Sequence, residues 1–369
     1  MQHLLTQLYD GIIDLPSILF GFDQTGLRVA THLVFLAFGD GVRFGFPPVG
    51  RKSEAATIDA QVGILKRDVQ SGRSGTNIRL KKFGLALAAS QLFLSRTNQL
   101  IFLCGANRSA GLPSMRREFL KGFIEKISAD NRVVYAEAVF HELQNIGRHH
   151  RNVLDLEHEI SDIADKIVLV LESASAFCEL GAFAHPRLRS KLIVINDSTF
   201  KNQPSFINTG PIAALKEEGS PVLWYPMQVD GVYKLDGIGA TLSDLERALY
   251  VNPMSGSIKV KDKVSELSAN KASLYFIHDL VLFTGPVTYD ELVAVLIELF
   301  GPKPYDMLKR LLGILRSAGL ISSDLIDGTW LYRTNSVDPY LEYQGQIASL
   351  AAAFKIHHLK NSPKRFQLA

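Results

Sequence analysis

The stretch KIVLVLESASAFCELGAFAHP, Lys166 to Pro186, decides how this chain is read. Ile167 to Leu171 form a continuous apolar run of strand length, the pattern of a strand buried on both faces of a parallel sheet. The run ends on a carboxylate, Glu172. The small residues Ser173-Ala174-Ser175-Ala176 follow and read as a tight turn. A short helix then opens with a second carboxylate, Glu179, and Gly181 lies two residues further on. Strand apolarity accounts for Ile167 to Leu171 but not for the two acids, which are costly to bury unless paired or used. Open α/β sheets bind their ligands beyond the carboxyl ends of the strands, which is where both acids fall.

Outward from this stretch, apolar runs and amphipathic segments alternate. Leu100 to Cys104 is a strand-like run ending at Gly105, and Val133 to Ala136 is a second ending near Glu137. Leu192 to Ile195 and Val222 to Tyr225 supply two more. Pro113 to Ile127 and Val153 to Ala164 have helical periodicity. The alternation predicts an α/β domain over 96–250: a doubly wound, five-stranded parallel sheet with right-handed crossovers.

The flanks differ. Residues 1–95 form a mixed N-terminal region with no catalytic signature. Within it, Val34 to Phe46 reads as a hairpin around Asp40-Gly41, Ser71 to Gly75 as a surface loop, and Leu80 to Phe93 as a helix. Over 270–335 the segments Ala272 to Phe283, a stretch capped by Thr288, and Pro304 to Ala318 read as three helices. An Asp327-Gly328 turn then joins the arms of a hairpin. Three short helices and a hairpin is the pattern of a winged helix. Residues 339–369 read as a helix and a basic tail with Lys355, Lys360, Lys364 and Arg365.

Bulk composition fits an ordinary globular protein with large cores. Of 369 residues, 47% are apolar and 21% charged, and the formal net charge of +3 permits an anionic partner without requiring one. Two cysteines, Cys104 and Cys178, give no disulfide framework and point to a reducing cytoplasm. The N-terminus lacks the features of a secretion signal, and the longest apolar runs are too short to span a bilayer, so no membrane association is expected.

Each candidate side chain has a plain reading beside its chemical one. Glu179 is either a first-turn glutamate satisfying the helix dipole or a nucleophile able to attack a sugar C1′. Glu172 either faces water at a strand end or holds ribose hydroxyls. Glu157, on the helix before that strand, either sits on a solvated face or reaches the same cleft. The loop Gly105 to Gly111 follows a strand and precedes a helix, a geometry suited to phosphate, but its spacing is not that of the hydride-transfer dinucleotide fingerprint. Cys104, Gly105, Asn107, Arg108, Arg116, Glu137, Ser173 and Gly181 are the candidates for substrate contact around this mouth. His149-His150 is not expected to bind metal, because adjacent helix residues do not share a face; no metal or cofactor is expected. Lys303, Lys309, Arg310 and Arg316, on or near the third helix of the C-terminal zone, are candidates for nucleic-acid or protein contact.

Taken as a linked set, IFLCGANRSA, VVYAEAVF, NVLDLEHEISDIADKIVLVLES, FCELGAFAHP, KLIVIND and SFINTGPI resemble the effector subunits encoded beside bacterial retron reverse transcriptases. Those carry a nucleoside 2-deoxyribosyltransferase-like domain and a C-terminal winged helix. The resemblance covers about 98–225 in order and spacing, and the C-terminal zone by architecture only. It implies that Glu179, in Glu179-Leu180-Gly181, is the nucleophile. Glu172 and Glu157 stand where the transferases usually have aspartates, and the turn between Glu172 and Glu179 lacks the transferase glycine. These departures leave room for a ribosyl nucleotide. The resemblance therefore implies cleavage of NAD, as substrate and not cofactor, with toxicity by nucleotide depletion. It also implies restraint by the reverse transcriptase and its msDNA, a DNA–RNA hybrid, with a homo-oligomer or a filament among the assemblies it allows. Two other classes stay open: a non-catalytic nucleotide sensor, and a winged-helix DNA-binding regulator with a degenerate enzyme domain. So does a free nucleoside or a base within DNA as the substrate.

Overall fold

The computed structural model describes residues 58–108, 111–146, 152–227, 237–252, 254 and 256–366. The hairpin expected at 34–46, and His149-His150 with their flanking arginines, lie outside the described residues.

Two helices come first, α1 (Ile58–Gln70) and α2 (Gly75–Ala89), separated by the loop expected from its glycines and serines. The side chain of Ser74 caps α2 by accepting from the Asn77 N–H. The central part runs β1 (Phe93–Leu94), β2 (Gln99–Cys104), α3 (Met115–Ile127), β3 (Asn131–Val134), α4 (Ala136–Ile146), α5 (Val153–Ile163), β4 (Lys166–Val170), α6 (Ala174–Phe183), β5 (Leu192–Asp197), α7 (Phe206–Thr209), α8 (Pro211–Glu217) and β6 (Val222–Tyr225). Then follow α9 (Leu242–Leu249), β7 (Ile258–Lys259), α10 (Lys271–Thr284), β8 (Val287–Thr288), α11 (Tyr289–Phe300), α12 (Asp306–Ser317), β9 (Ile321–Ile326), β10 (Thr329–Thr334), β11 (Leu341–Glu342) and α13 (Ile347–Asn361).

Five strands make one parallel sheet in the order β3-β2-β4-β5-β6. Alternate residues leave its two faces, so each strand feeds two cores. Ile101, Leu103, Val168, Val170, Ile193 and Ile195 pack with Leu120 and Ile124 of α3 and Leu245 and Leu249 of α9. Leu100, Phe102, Ile167, Leu169 and Val194 face Leu156 and Ile160 of α5, Leu180 and Phe183 of α6, and Leu215 of α8. Helices on both faces make the sheet doubly wound, as the alternation predicts. In chain order the five strands run 2-1-3-4-5. The direction of winding therefore reverses between β2 and β4, and the ligand crevice of such a sheet opens at their carboxyl ends.

The second core runs on without a break into α10, α11 and α12. Helix α12 lies against α4, and Gly313 makes the approach possible: a Cβ there would sit 3.0 Å from Val139 Cγ1. The helices and hairpin expected over 270–335 are α10, α11, α12 and β9–β10, with β8 pairing on the other side of β10. A separate three-stranded sheet, β11-β1-β7, joins segments far apart in sequence, as do α2 with α13 and α1 with α11. Buried Asp279 on α10 fastens the C-terminal segment, accepting from the N–H groups of Tyr340 and Leu341 and from the Tyr343 hydroxyl.

The tail expected to be basic and available is in part internal. Arg365 donates through both terminal nitrogens to the two oxygens of Glu291, at 2.7 Å each, and both side chains are at most 1% exposed. Glu291 also completes the capping box of α11 with Thr288.

Candidate active site

The crevice is built first by Glu172. Its side chain is 3% exposed. One carboxylate oxygen accepts from the Ala106 N–H at 3.1 Å and the Ser114 hydroxyl at 2.5 Å, and the other from Arg116 at 3.0 Å. Ser114 in turn caps α3. The acid at the end of β4 thus ties the β2–α3 loop and the first turn of α3 to the central strand. Gly105 is required here. Its φ is +150°, and a Cβ would stand 3.1 Å from both Arg117 Cδ and a Glu172 carboxylate oxygen. Glu172, read as a ribose ligand, and Arg116, read as a substrate contact, are turned onto each other.

Arg117 is more deeply set, 1% exposed. It donates to the backbone carbonyls of Leu103 and Ala106, to Asn107 Oδ1 at 2.6 Å, and to both oxygens of Glu137 at 2.8 and 3.0 Å. Asn107 is therefore engaged by the protein itself. Arg108 lies at the surface, bonded to the Pro113 carbonyl and to Glu118. Glu137, on the first turn of α4, stays 30% exposed. Burial acts to raise its pKa, but the hydrogen bonds and charge of Arg117 outweigh this and hold it below the usual carboxylate range.

Two further acids meet this pair. Asn152 caps α5, whose Leu156, Ile160 and Ile163 point inward, so Glu157 falls at the edge of the buried stripe. On α6, Ala176, Leu180 and Phe183 are buried, and Glu179 shares their stripe by its spacing from Ala176 and Phe183. Burial, with Glu137 second, pushes Glu157 up to about 7 against the pull of Arg117. Burial, with Glu157 second, pushes Glu179 up to about 7, again against Arg117. One Glu179 oxygen is buried with no hydrogen-bond partner among the described residues. Cys104 lies beneath them, its thiol pushed well up by burial and by Glu179.

The local structure around Glu179 differs from the expectation in one respect. Helix α6 does not open at Glu179. Ser173 caps it, accepting from the Ala176 N–H, and Ala174 to Phe177 are its first turn. Small residues read as a turn are here a capped helix start, because Ser173 supplies the acceptor that the first N–H groups need. Glu179 is in the second turn, away from the dipole end, so its charge state is set by burial and neighbouring acids. Ser173 serves as this cap. Gly181 is exposed, with open space where a Cβ would be. Cys178 is exposed.

The cations proposed for nucleic-acid or partner contact are partly exposed, and two of them are paired with acids of the chain itself. Arg310 pairs with Glu159 of α5 and Arg316 with Glu142 of α4, and Tyr332 also donates to Glu142. Lys303 donates to the Ser265 carbonyl, and Lys309 lies 5.1 Å from the centre of the Tyr289 ring. The carboxylate partners of Arg310 and Arg316 come from helices of the sheet domain, which spacing along α12 alone does not reveal. Sequence reasoning also missed the Arg117–Glu137 pair. The available signal was an acid directly after the second strand.

Among the described residues no helix is long and apolar enough to cross a membrane. Residues 113–323 match the family model described as the STM3845 retron effector protein. An Escherichia coli protein named "Retron Ec73 putative ribosyltransferase/DNA-binding protein" is 36% identical over 282 residues, 73% of this chain and 88% of that protein. A second from Escherichia coli, "Retron Ec86 putative ribosyltransferase/DNA-binding protein", is 40% identical over 121 residues, 32% of this chain and 38% of that one. The matched region takes in Glu137, Glu157, Glu172 and Glu179 together, and the chain belongs to the retron effector family.

Proposed function

We propose that this chain is the N-glycosidase of a retron defence system and that it cleaves NAD between ribose and nicotinamide. The observation that carries the reading is the charge balance of the cleft. Among the described residues Glu137, Glu157 and Glu179 are gathered around one cation, Arg117, and Glu157 and Glu179, pushed up to about 7, are still partly ionised at neutral pH. A cleft with surplus negative charge favours a substrate whose reacting end is cationic. A nicotinamide glycoside is such a substrate, and its oxocarbenium-like transition state keeps that charge at the same place. The names of the relatives support glycosyl transfer as the reaction type.

In this mechanism a Glu179 carboxylate oxygen attacks C1′. The C1′–N bond breaks, and its electron pair neutralises the pyridinium nitrogen, so nicotinamide leaves without taking a proton. Water then attacks C1′ of the ribosyl ester, its proton passes to the Glu157 carboxylate, and Glu179 is released. Glu172 and Arg116 act by position, holding the loop that frames the cleft. Arg108, at the surface and bonded to Glu118 and the Pro113 carbonyl, is the group best placed to turn toward a pyrophosphate. One feature favours a second reading, a nucleoside or DNA base as substrate: a Glu157 with pKa about 7 can also carry the proton a neutral base needs on leaving. The C-terminal helices and hairpin, as a winged helix, dock the reverse transcriptase and its msDNA.

Purified protein incubated with NAD, with nicotinamide followed by chromatography, tests the reading. Release by wild type but not by Glu179→Gln supports it. No release from NAD, with release of free base from nucleosides or from single-stranded DNA, supports the second. No release from any substrate, with the partner complex present, rejects both in favour of a cleft that only binds.

A further inference from the structure

We propose that the groove between α1, α2 and α13 is a nucleic-acid surface of this chain, which holds a sugar-phosphate backbone by charge and does not read its bases. This surface sharpens the docking half of the proposed function, on which the class of partner rests, and its readout needs no glycosidase assay.

The helix first expected to meet nucleic acid is not free to do so. In a winged helix the last of the three helices enters the groove of the duplex. Here that helix, α12, lies on α4, with Gly313 against Val139. Its Arg310 and Arg316 are matched by Glu159 and Glu142. Its Leu308, Leu311, Leu312 and Leu315 are buried. A helix covered by its own chain and neutralised by its own acids offers little to a polyanion.

The groove of α1, α2 and α13 has the opposite balance. It holds a volume of about 700 Å³. Arg67 of α1, Arg79 of α2 and Lys360 of α13 line it, and all three are exposed. Arg79 donates to Ser349 Oγ at 2.9 Å and to the Gly75 carbonyl at 3.0 Å, and Arg67 donates to the Gly63 carbonyl at 3.2 Å. These partners are neutral, and among the described residues none of the three cations is paired with a carboxylate. The lining holds one carboxylate among the described residues, Asp68. It accepts from Nδ1 of the buried His357 at 2.9 Å. Three positive charges therefore stand along one groove with their nearest acid already taken.

The lining also favours a backbone over other anions. No Phe, Tyr or Trp lines it among the described residues, so it offers no platform for stacked bases. Ala352 and Ala353 leave room between the helices. The larger apolar side chains are two, Ile64 and Ile356, too few for the continuous stripe on which an acidic amphipathic helix would lie. Repeated negative charge on a polar chain is what such a groove fits, and its neutralisation by lysine and arginine is sequence-independent.

The test is fluorescence anisotropy of the full-length protein over a range of salt. The probes are a fluorescein-labelled DNA duplex, a DNA–RNA hybrid of the same sequence and the DNA single strand. The triple variant Arg67→Gln, Arg79→Gln, Lys360→Gln is expected to bind at least about tenfold more weakly and to lose about 2 to 3 from the slope of log K against log salt. Ala352→Glu removes no hydrogen bond and puts a carboxylate into the groove, so it should weaken binding even if the triple variant does not fold. Arg79→Lys, which keeps the charge, should bind like wild type, and so should Lys303→Gln with Lys309→Gln. Loss in the Lys303 and Lys309 variant with the groove variants unaffected would overturn the inference in favour of the α12 face. Absence of binding to all three probes would overturn it too. Groove-dependent binding of reverse transcriptase freed of nucleic acid, with the probes unbound, would make the groove a protein surface instead. Groove-dependent nucleic-acid binding by a protein that releases no nicotinamide would keep the surface and reject the glycosidase reading.

Discussion

Two groups of buried charge show opposite designs. In the C-terminal core, Glu291 meets one guanidinium, Arg365, oxygen for nitrogen, and both are sealed from water. At the carboxyl end of the sheet, Glu137, Glu157 and Glu179 are gathered near one guanidinium, Arg117, and one oxygen of Glu179 has no partner among the described residues. A balanced pair closes a structure. An unbalanced one holds charge ready for something that arrives, and perturbed groups in a cleft are where chemistry is sought. The Arg116–Glu172 pair, at the same end of the sheet, belongs with the balanced kind, which is why we assign it to the frame of the site.

The contrast breaks most sharply in activity. Glu179→Gln should lower nicotinamide release on the order of 10³-fold or more while the protein stays folded, since it removes a nucleophile and no buried partner. Circular dichroism beside the chromatographic assay checks both halves. Glu291→Gln should do the reverse. It strands the Arg365 charge in the core and costs about 3–5 kcal/mol of stability, read from urea unfolding midpoints. Next in size is Gly105→Ala, expected to cost about 1–3 kcal/mol because it imposes a Cβ on a positive φ and on the Glu172 carboxylate.

A further effect is the pH dependence of stability, and here the two regions oppose each other. Glu157 and Glu179 have folded pKa values near 7, above the ordinary 4.5, so the folded state binds more protons than the unfolded between those values. Their contribution is present below about 4.5 and is lost as pH rises through 7. His358, in the C-terminal core, is held down at about 4 by burial and then by Arg365. Its contribution is present above its ordinary 6.5 and is lost as pH falls toward 4. Glu179→Gln should therefore raise the Tm at pH 8 relative to wild type and leave it little changed at pH 4.5. A variant whose Tm gain is the same at both pH values would remove the cleft from this account.

Much of the frame was legible in the chain. Each of the five strands of the sheet lies within a few residues of an apolar run, because burial on both faces favours apolar residues through the middle of a strand. The acid pair Glu172 and Glu179 stood out because acids at strand ends break that pattern. The helix start at Ala174 was not legible. Serine and alanine serve a turn and a capped helix equally well, and the hydrogen bond from the Ala176 N–H to Ser173 settles which. The carboxylate partners of Arg310, Arg316 and Arg365 were hidden for a related reason. A basic residue looks solvated until its carboxylate is found, and here the carboxylates lie 151, 174 and 74 residues away.

By itself, then, the sequence determined the layered α/β fold, the mouth of the crevice and the acids near it, since these follow from local hydropathy and from residues adjacent in the chain. Tertiary structure alone decided what each acid does. It paired Glu172 with Arg116, Glu291 with Arg365 and Glu137 with Arg117, and it partly buried Glu157 and Glu179 beside them. Whether a buried carboxylate is a strut or a reagent depends on the charges around it in space, and those come from strands and helices that the chain order keeps apart.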